Sequence, residues 1–230
     1  GTEILAAYLD TQTRSWLPPG YSFMNGTSMA SPHTAGAAAL LMALHPDWTP
    51  MEVKSALMLT SFSDVRQAGG VLPATPFQTG AGRVNAASAA VAPFVMDISA
   101  VEFTAADPAL AGDPAALNLP SLQRNACGIT CTWQRTLTNR TGTTQLLTFD
   151  AANSPAWLQV SQSASLVAPG ENVTLTFTAL PANLPLSGWN QGQAWFTAAP
   201  LHDPLQTQPI HLPVDVKAGT ALFIPYFSAP

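Results

Sequence analysis

From Ser28 to Leu44 the chain reads as a helix whose apolar side chains run almost all the way round. A helix with no polar face has nowhere to meet water, so its neighbours must cover it on every side. Pro32 falls in its first turn, where a missing N–H costs nothing. The run Ala35-Gly36-Ala37-Ala38-Ala39 keeps the helix thin, which lets covering elements approach closely. The longest strongly apolar run, Ala35 to Leu44, is far short of the roughly 20 residues that a membrane span needs. Protein must therefore supply the cover. Of the 230 residues, 47% are hydrophobic and 9% charged, against roughly 25% charged in an average domain. A sizeable core can form, and disorder is not expected for most of the chain. A net charge of -5 with eight Lys and Arg leaves no basic patch, which argues against nucleic acid as a partner.

Composition divides the chain. Up to about Pro93 it is Ala-rich with helical spacing; beyond, Thr, Gln, Pro and short alternating apolar stretches take over. The boundary falls near Val91 to Met96, giving domains 1–93 and 94–230. Thr49-Pro50-Met51-Glu52 is a helix start: Thr49 caps, Pro50 takes the first position and Glu52 reaches back. Val53, Ala56, Leu57 and Leu59 form the apolar stripe of that helix, and a short helix follows Asn85 over Ala86 to Val91. In the second domain Val173, Leu175 and Phe177 alternate with threonines, as in a half-buried strand. Ile210, Leu212, Val214 and Val216 repeat the pattern, with Pro213 demoting that strand to a sheet edge. Ile129, Cys131, Trp133 and Leu137 give a third strand, broken by Arg135. Turn signals at Asn139-Arg140-Thr141-Gly142, Pro169-Gly170-Glu171 and Ser187-Gly188 punctuate a β-sandwich. At the start, Ile4 to Tyr8 is hydrophobic with no basic stretch before it, so Gly1 reads as a cut inside a segment rather than a signal peptide.

The most informative segment is Gly26-Thr27-Ser28-Met29-Ala30-Ser31-Pro32-His33-Thr34-Ala35-Gly36. It sets a hydroxyl at the N-terminus of a buried helix, where backbone N–H groups and the helix dipole can stabilise an oxyanion. Gly26 allows another chain to come close. The plainer alternative is that Ser28 only caps the helix. These eleven residues resemble the nucleophile motif of the subtilisin-like serine proteases, G-T-S-M-A-x-P-H-V-A-G, with Thr34 in place of Val. Gly1 to Tyr8 resembles the strand before that loop. His45-Pro46-Asp47-Trp48-Thr49 resembles the next segment of the family, and Gly80-Ala81-Gly82-Arg83-Val84-Asn85 its closing G-x-G-x-x-N turn. The resemblance covers about 90 residues. It implies an α/β fold, of which 1–93 is the C-terminal third, with Ser28 as nucleophile in a loop of Gly26, Thr27 and Ser28. The aspartate, histidine and oxyanion asparagine of the family would all lie upstream. Calcium is allowed by the resemblance alone; no residue pattern places a cofactor or a metal.

Nothing within the chain replaces the missing base. His33, five residues after Ser28, is turned about 140° away on the helix and lies roughly 7.5 Å along it, so it reads as a packed, hydrogen-bonded helix residue. His45 is about 25 Å along a straight helix. His202 and His211 belong to the sandwich, Asp10 reads as a solvated loop charge, and Asn25 is misplaced for an oxyanion donor. Cys127 and Cys131 are too few for a zinc site and read as a local disulfide in preference to free thiols, which suits a secreted or cell-envelope protein. Asn139-Arg140-Thr141 and Asn172-Val173-Thr174 match glycan acceptors. Trp133, Trp157, Trp189 and Trp195 line a binding face or, as the commoner use, fill a core. Trp133 to Asn139 and Pro169 to Phe177 resemble the fibronectin type III-like domain that follows the protease domain in some family members.

The expected whole is therefore an incomplete α/β protease domain plus an all-β sandwich. It would serve a secreted endopeptidase that acts on protein or peptide substrates, and would be inactive without the upstream part of its own domain. A non-catalytic binding or scaffolding module, or a processed remnant, is the other class. On this reading limited proteolysis leaves a core beginning near residue 95.

Overall fold

The computed structural model describes residues 1–8, 20–67, 70–128, 130–180 and 188–218. Asp10, Ile129 and Ser187, singled out above, lie outside the described residues. The chain packs as two units, Gly1–Asp47 and Trp48–Pro230.

In the first unit β1 (Ile4–Tyr8) pairs antiparallel with β2 (Gly20–Met24), in register from Ile4 opposite Met24 to Tyr8 opposite Gly20. The helix α1 (Thr27–Leu44) follows. Contrary to the full burial expected from its composition, only Ala37 and Leu41 are buried, while Leu40 is 69% and Leu44 57% exposed. Two strands cannot enclose an 18-residue helix, and the described residues supply no all-round cover.

The second unit opens with α2 (Pro50–Leu59), whose capping box closes as its sequence foretells: the Glu52 N–H donates to Thr49 Oγ1 and the Thr49 N–H to Glu52 Oε2. Two short helices, α3 (Pro76–Thr79) and α4 (Ala86–Ala90), come next, with Asn85 capping α4. A two-residue strand β3 (Phe94–Val95) precedes α5 (Ala100–Ala105), which begins at a Ser99–Glu102 capping box. Eight further strands follow among the described residues: β4 (Leu122–Cys127), β5 (Cys131–Asn139), β6 (Gln145–Phe149), β7 (Leu158–Val160), β8 (Ala164–Val167), β9 (Asn172–Ala179), β10 (Trp189–Pro200) and β11 (Gln208–Ala218). With β3 they form two sheets, ordered β4-β11-β10-β6-β8 and β3-β5-β9-β7, antiparallel except for β4 on β11. Trp133, Leu137 and Phe177 from one sheet and Phe196, Ile210 and Val214 from the other share a single core, so this is a β-sandwich.

Leu59 of α2 belongs to that same core, as do Phe94 and Met96. Further bonds tie the helices to the sandwich. The Met96 N–H donates to Ser55 Oγ at 2.7 Å, Gln208 Nε2 to the Ser88 carbonyl at 2.9 Å, and Arg140 Nε and Nη2 to Glu52 Oε1 at 2.8 and 2.6 Å. Glu52 is 2% exposed. The packing seam thus lies at Trp48, whereas the compositional boundary lies at 93/94, so a compact core begins well before residue 95.

Three strand details depart from expectation. Arg135 does not break β5: it is 2% exposed inside an unbroken nine-residue strand. All of its nitrogens donate to backbone carbonyls, those of Ser121, Ala115 and Gln134. Pro213 is not on an edge strand, because β11 lies between β4 and β10. It is tolerated because the β4 pairing starts only at Val214, so the earlier half of β11 is bonded on one side alone. That half is not half-buried either. Every residue from Ile210 to Val216 is buried, since α2 and α3 pack against β11.

Candidate functional site

Gly26 is the N-cap of α1 with φ 146°, a backbone that side chains resist, and its carbonyl receives the Met29 and Ala30 N–H groups at 3.2 Å each. Thr27 and Ser28 are the first two helical residues, and Ser28 is exposed. A serine at this second position is not the cap; the cap is the glycine. Its hydroxyl therefore projects beside the positive end of an 18-residue helix.

The loop is held from the hairpin side. The Gly26 N–H donates to the Gly1 carbonyl at 2.9 Å and the Gly1 amino group returns a bond to the Gly26 carbonyl at 3.1 Å. Asn25 accepts the Glu3 N–H through Oδ1, a role no sequence pattern announced. A Cβ on Gly1 would lie 2.7 Å from Met29 Cβ, so only glycine lets the hairpin sit against the first turn.

Among the described residues of this unit none acts as a base on Ser28. His33 turns its Nδ1 back on its own helix, donating to the Met29 carbonyl at 2.7 Å. It is hydrogen-bonded as expected, but exposed rather than packed, because α1 lacks cover. His45 closes the far end of α1, its N–H on the Leu41 carbonyl.

In the second unit the Gly80–Asn85 turn is a junction. Gly82 has φ 138°, and a Cβ there would meet the Phe62 carbonyl oxygen at 2.2 Å. Phe62 and Arg83 exchange both backbone hydrogen bonds at 2.9 Å, with the Arg83 guanidinium over the Phe62 ring. The Ala81 carbonyl accepts from Ser61 Oγ at 2.8 Å and from His211 Nε2 at 2.9 Å. His211 is 1% exposed and packs its ring, tilted by 41°, against that of Trp195 with centroids 4.6 Å apart; burial pushes its imidazole below the usual 6.5. The sequence placed His211 in the sandwich but gave no hint of this partner, which lies 130 residues away.

Cys127, at the end of β4, and Cys131, at the start of β5, are bonded to each other and both buried. Trp133 is 2% exposed in the core, and Trp157 packs partly buried against it. Trp189 is 37% exposed and meets Phe77 edge-on at 4.9 Å. Asn139 is fully buried, with Nδ2 on the Thr143 and Val167 carbonyls, so in the folded chain it is structural; Asn172 is exposed. Among the described residues no three His, Cys, Asp or Glu side chains converge, and no helix is long and apolar enough to cross a membrane.

Residues 3–90 match the model of the subtilase family. Three curated relatives come from Arabidopsis thaliana. Subtilisin-like protease SBT1.3 is 36% identical over 114 residues, which cover 45% of this chain and 15% of the relative. Subtilisin-like protease SBT3.18 is 41% identical over 97 residues, 37% of this chain and 12% of the relative. Subtilisin-like protease SBT2.5 is 29% identical over 202 residues, 73% of this chain and 25% of the relative, so its likeness runs on into the sandwich. The chain spans a quarter or less of the length of these relatives.

Proposed function

Because residues 3–90 carry subtilase sequence, we propose that this chain is the nucleophile-bearing part of a secreted serine endopeptidase. The observation that carries the reading is Ser28 itself. Ser28 is exposed at the second position of α1, two residues after the glycine that caps the helix. Ser28 Oγ attacks a peptide carbonyl, the amine leaves, and water releases the acyl group from the serine. The Ser28 N–H, at the positive end of α1, is one donor to the oxyanion, with Gly26 and Thr27 shaping the loop. The base that takes the Ser28 proton, its orienting carboxylate and the second oxyanion donor come from upstream segments of the same domain. Residues 1–93 are then the C-terminal third of an α/β protease domain, and 94–230 a fibronectin type III-like sandwich. The Cys127–Cys131 bond suits an oxidising compartment.

On this proposal the chain alone is inert. A serine hydroxyl without a base is a weak nucleophile at neutral pH, and His33 is occupied on the Met29 carbonyl. A fluorophosphonate probe should leave the 230-residue chain unlabelled and should label the full-length gene product at Ser28. Ser28→Ala in that product should abolish both labelling and peptide hydrolysis. Rapid labelling of the isolated chain would show that it holds its own base and would overturn the account.

A further inference from the structure

Away from Ser28, a cleft of about 460 Å³ opens in the second unit beside β4, walled by Pro114, Ala115 and Leu119 and flanked by Asp113, Arg124 and Arg135. The chain has only eight Lys and Arg and a net charge of -5, yet two of those cations meet here. Arg135 is 2% exposed and gives its N–H groups to the Ala115, Ser121 and Gln134 carbonyls. Carbonyl dipoles satisfy its donors and leave its charge in place. Burial, with the Arg124 charge added, pulls the Arg135 guanidinium down to about 10, and the Asp113 charge opposes that shift. The single acid on the wall, Asp113, is 2.9 Å from Arg124 Nη2 and also holds the Ala115 N–H. One carboxylate thus faces two guanidinium groups. Among the described residues Arg124 Nε and Nη1 have no partner, and the Arg124 side chain is 31% exposed, so it can turn its fork towards a ligand.

We propose that this cleft binds a monoanionic carboxylate carried on a short apolar body, with Arg124 as the direct contact and Arg135 as the buried charge behind it. The volume lies in the range of small-ligand sites, and the apolar wall suits an aliphatic body. Two sources present that chemistry, a free aliphatic acid and the C-terminus of a peptide. The site does not depend on the protease reading.

The test is calorimetric titration of the 230-residue chain at low salt with N-acetyl-Leu-Leu as free acid, its C-terminal amide, and 4-methylpentanoate. The acids should bind saturably and the amide should not; whichever acid binds more tightly identifies the source. Arg135 variants would lose the fold, so the charge is probed from the rim. Arg124→Gln should weaken binding about tenfold or more. Asp113→Asn, which keeps an oxygen for the Ala115 N–H while removing the competing charge, should tighten it. Circular dichroism melts establish that both variants are folded. The proposal fails if the amide binds as well as the acid, if no heat is seen up to about 10 mM, or if Asp113→Asn weakens binding.

Discussion

Arg140→Met would test whether the helical layer and the sandwich are one body. Arg140 sits in the turn after β5 and grips Glu52 of α2 through Nε and Nη2, both on Oε1. The two partners are unequally covered: the Arg140 side chain is 32% exposed and that of Glu52 3%. Removing the arginine orphans the buried carboxylate, which among the described residues then keeps only the Thr49 N–H. Breaking a buried pair from the side that strands the more buried charge costs about 3–5 kcal/mol. Because Arg140 itself is partly in water, the lower end applies, about 3 kcal/mol. Glu52→Gln instead leaves a guanidinium that water can reach, at about 1–2 kcal/mol. For a unit of this size each kcal/mol is worth about 2–4 °C, so Arg140→Met should lower Tm by about 6–12 °C and Glu52→Gln by less. Urea melts followed by tryptophan fluorescence report on the sandwich through buried Trp133. The double variant should cost less than the sum of the two singles. If Arg140→Met fell within about 0.5 kcal/mol of the parent, or cost less than Glu52→Gln, the layer would not be tied to the sandwich by this pair.

Limited proteolysis should leave a resistant core that begins near Trp48, the packing seam, instead of near residue 95; early cleavage between α2 and β3 with the sandwich surviving alone would refute it. His211 is held neutral by burial, so in the window below about 6.5 the unfolded chain takes a proton that the folded chain refuses. Stability should therefore be full above that pH and fall as pH drops towards the lowered folded value. His211→Gln should remove that part of the slope in chemical denaturation series, and an unchanged slope would count against it. Replacing both Cys127 and Cys131 with alanine opens a bond of sequence separation 4 and should cost about 2 kcal/mol at most. A calorimetric Tm loss far above the few degrees this implies would mean that the bond does more than close a short loop.

What could be read from the sequence was what neighbours in the chain decide. The Thr49–Glu52 box, the Asn85 cap and the alternation of β9 are local, and all are in the structure. The Ser99–Glu102 box that begins α5 carried the same signal and was there to be read. The unbroken strand at Arg135 is not legible locally, because carbonyls that shelter its charge come from Ala115 and Ser121, 20 and 14 residues away. Likewise the depth of β11 depends on helices more than a hundred residues earlier in the chain. At the candidate site the motif around Ser28 is contiguous, so the helix start was legible. The grip of Gly1 and Asn25 on the loop, which sets its shape, was not.

The one-sided half of β11 has a practical consequence for anyone who divides this chain. From Gln208 to Pro213 the strand is bonded to β10 alone, and the helical layer packs against β11. A cut at the compositional boundary, residue 94, would strip that layer and leave a row of peptide groups and apolar side chains facing solvent. Such a border recruits a strand from a second molecule. The shortened protein should pair or precipitate as its concentration rises, whereas a version starting at Trp48 keeps its own shield and should stay dispersed.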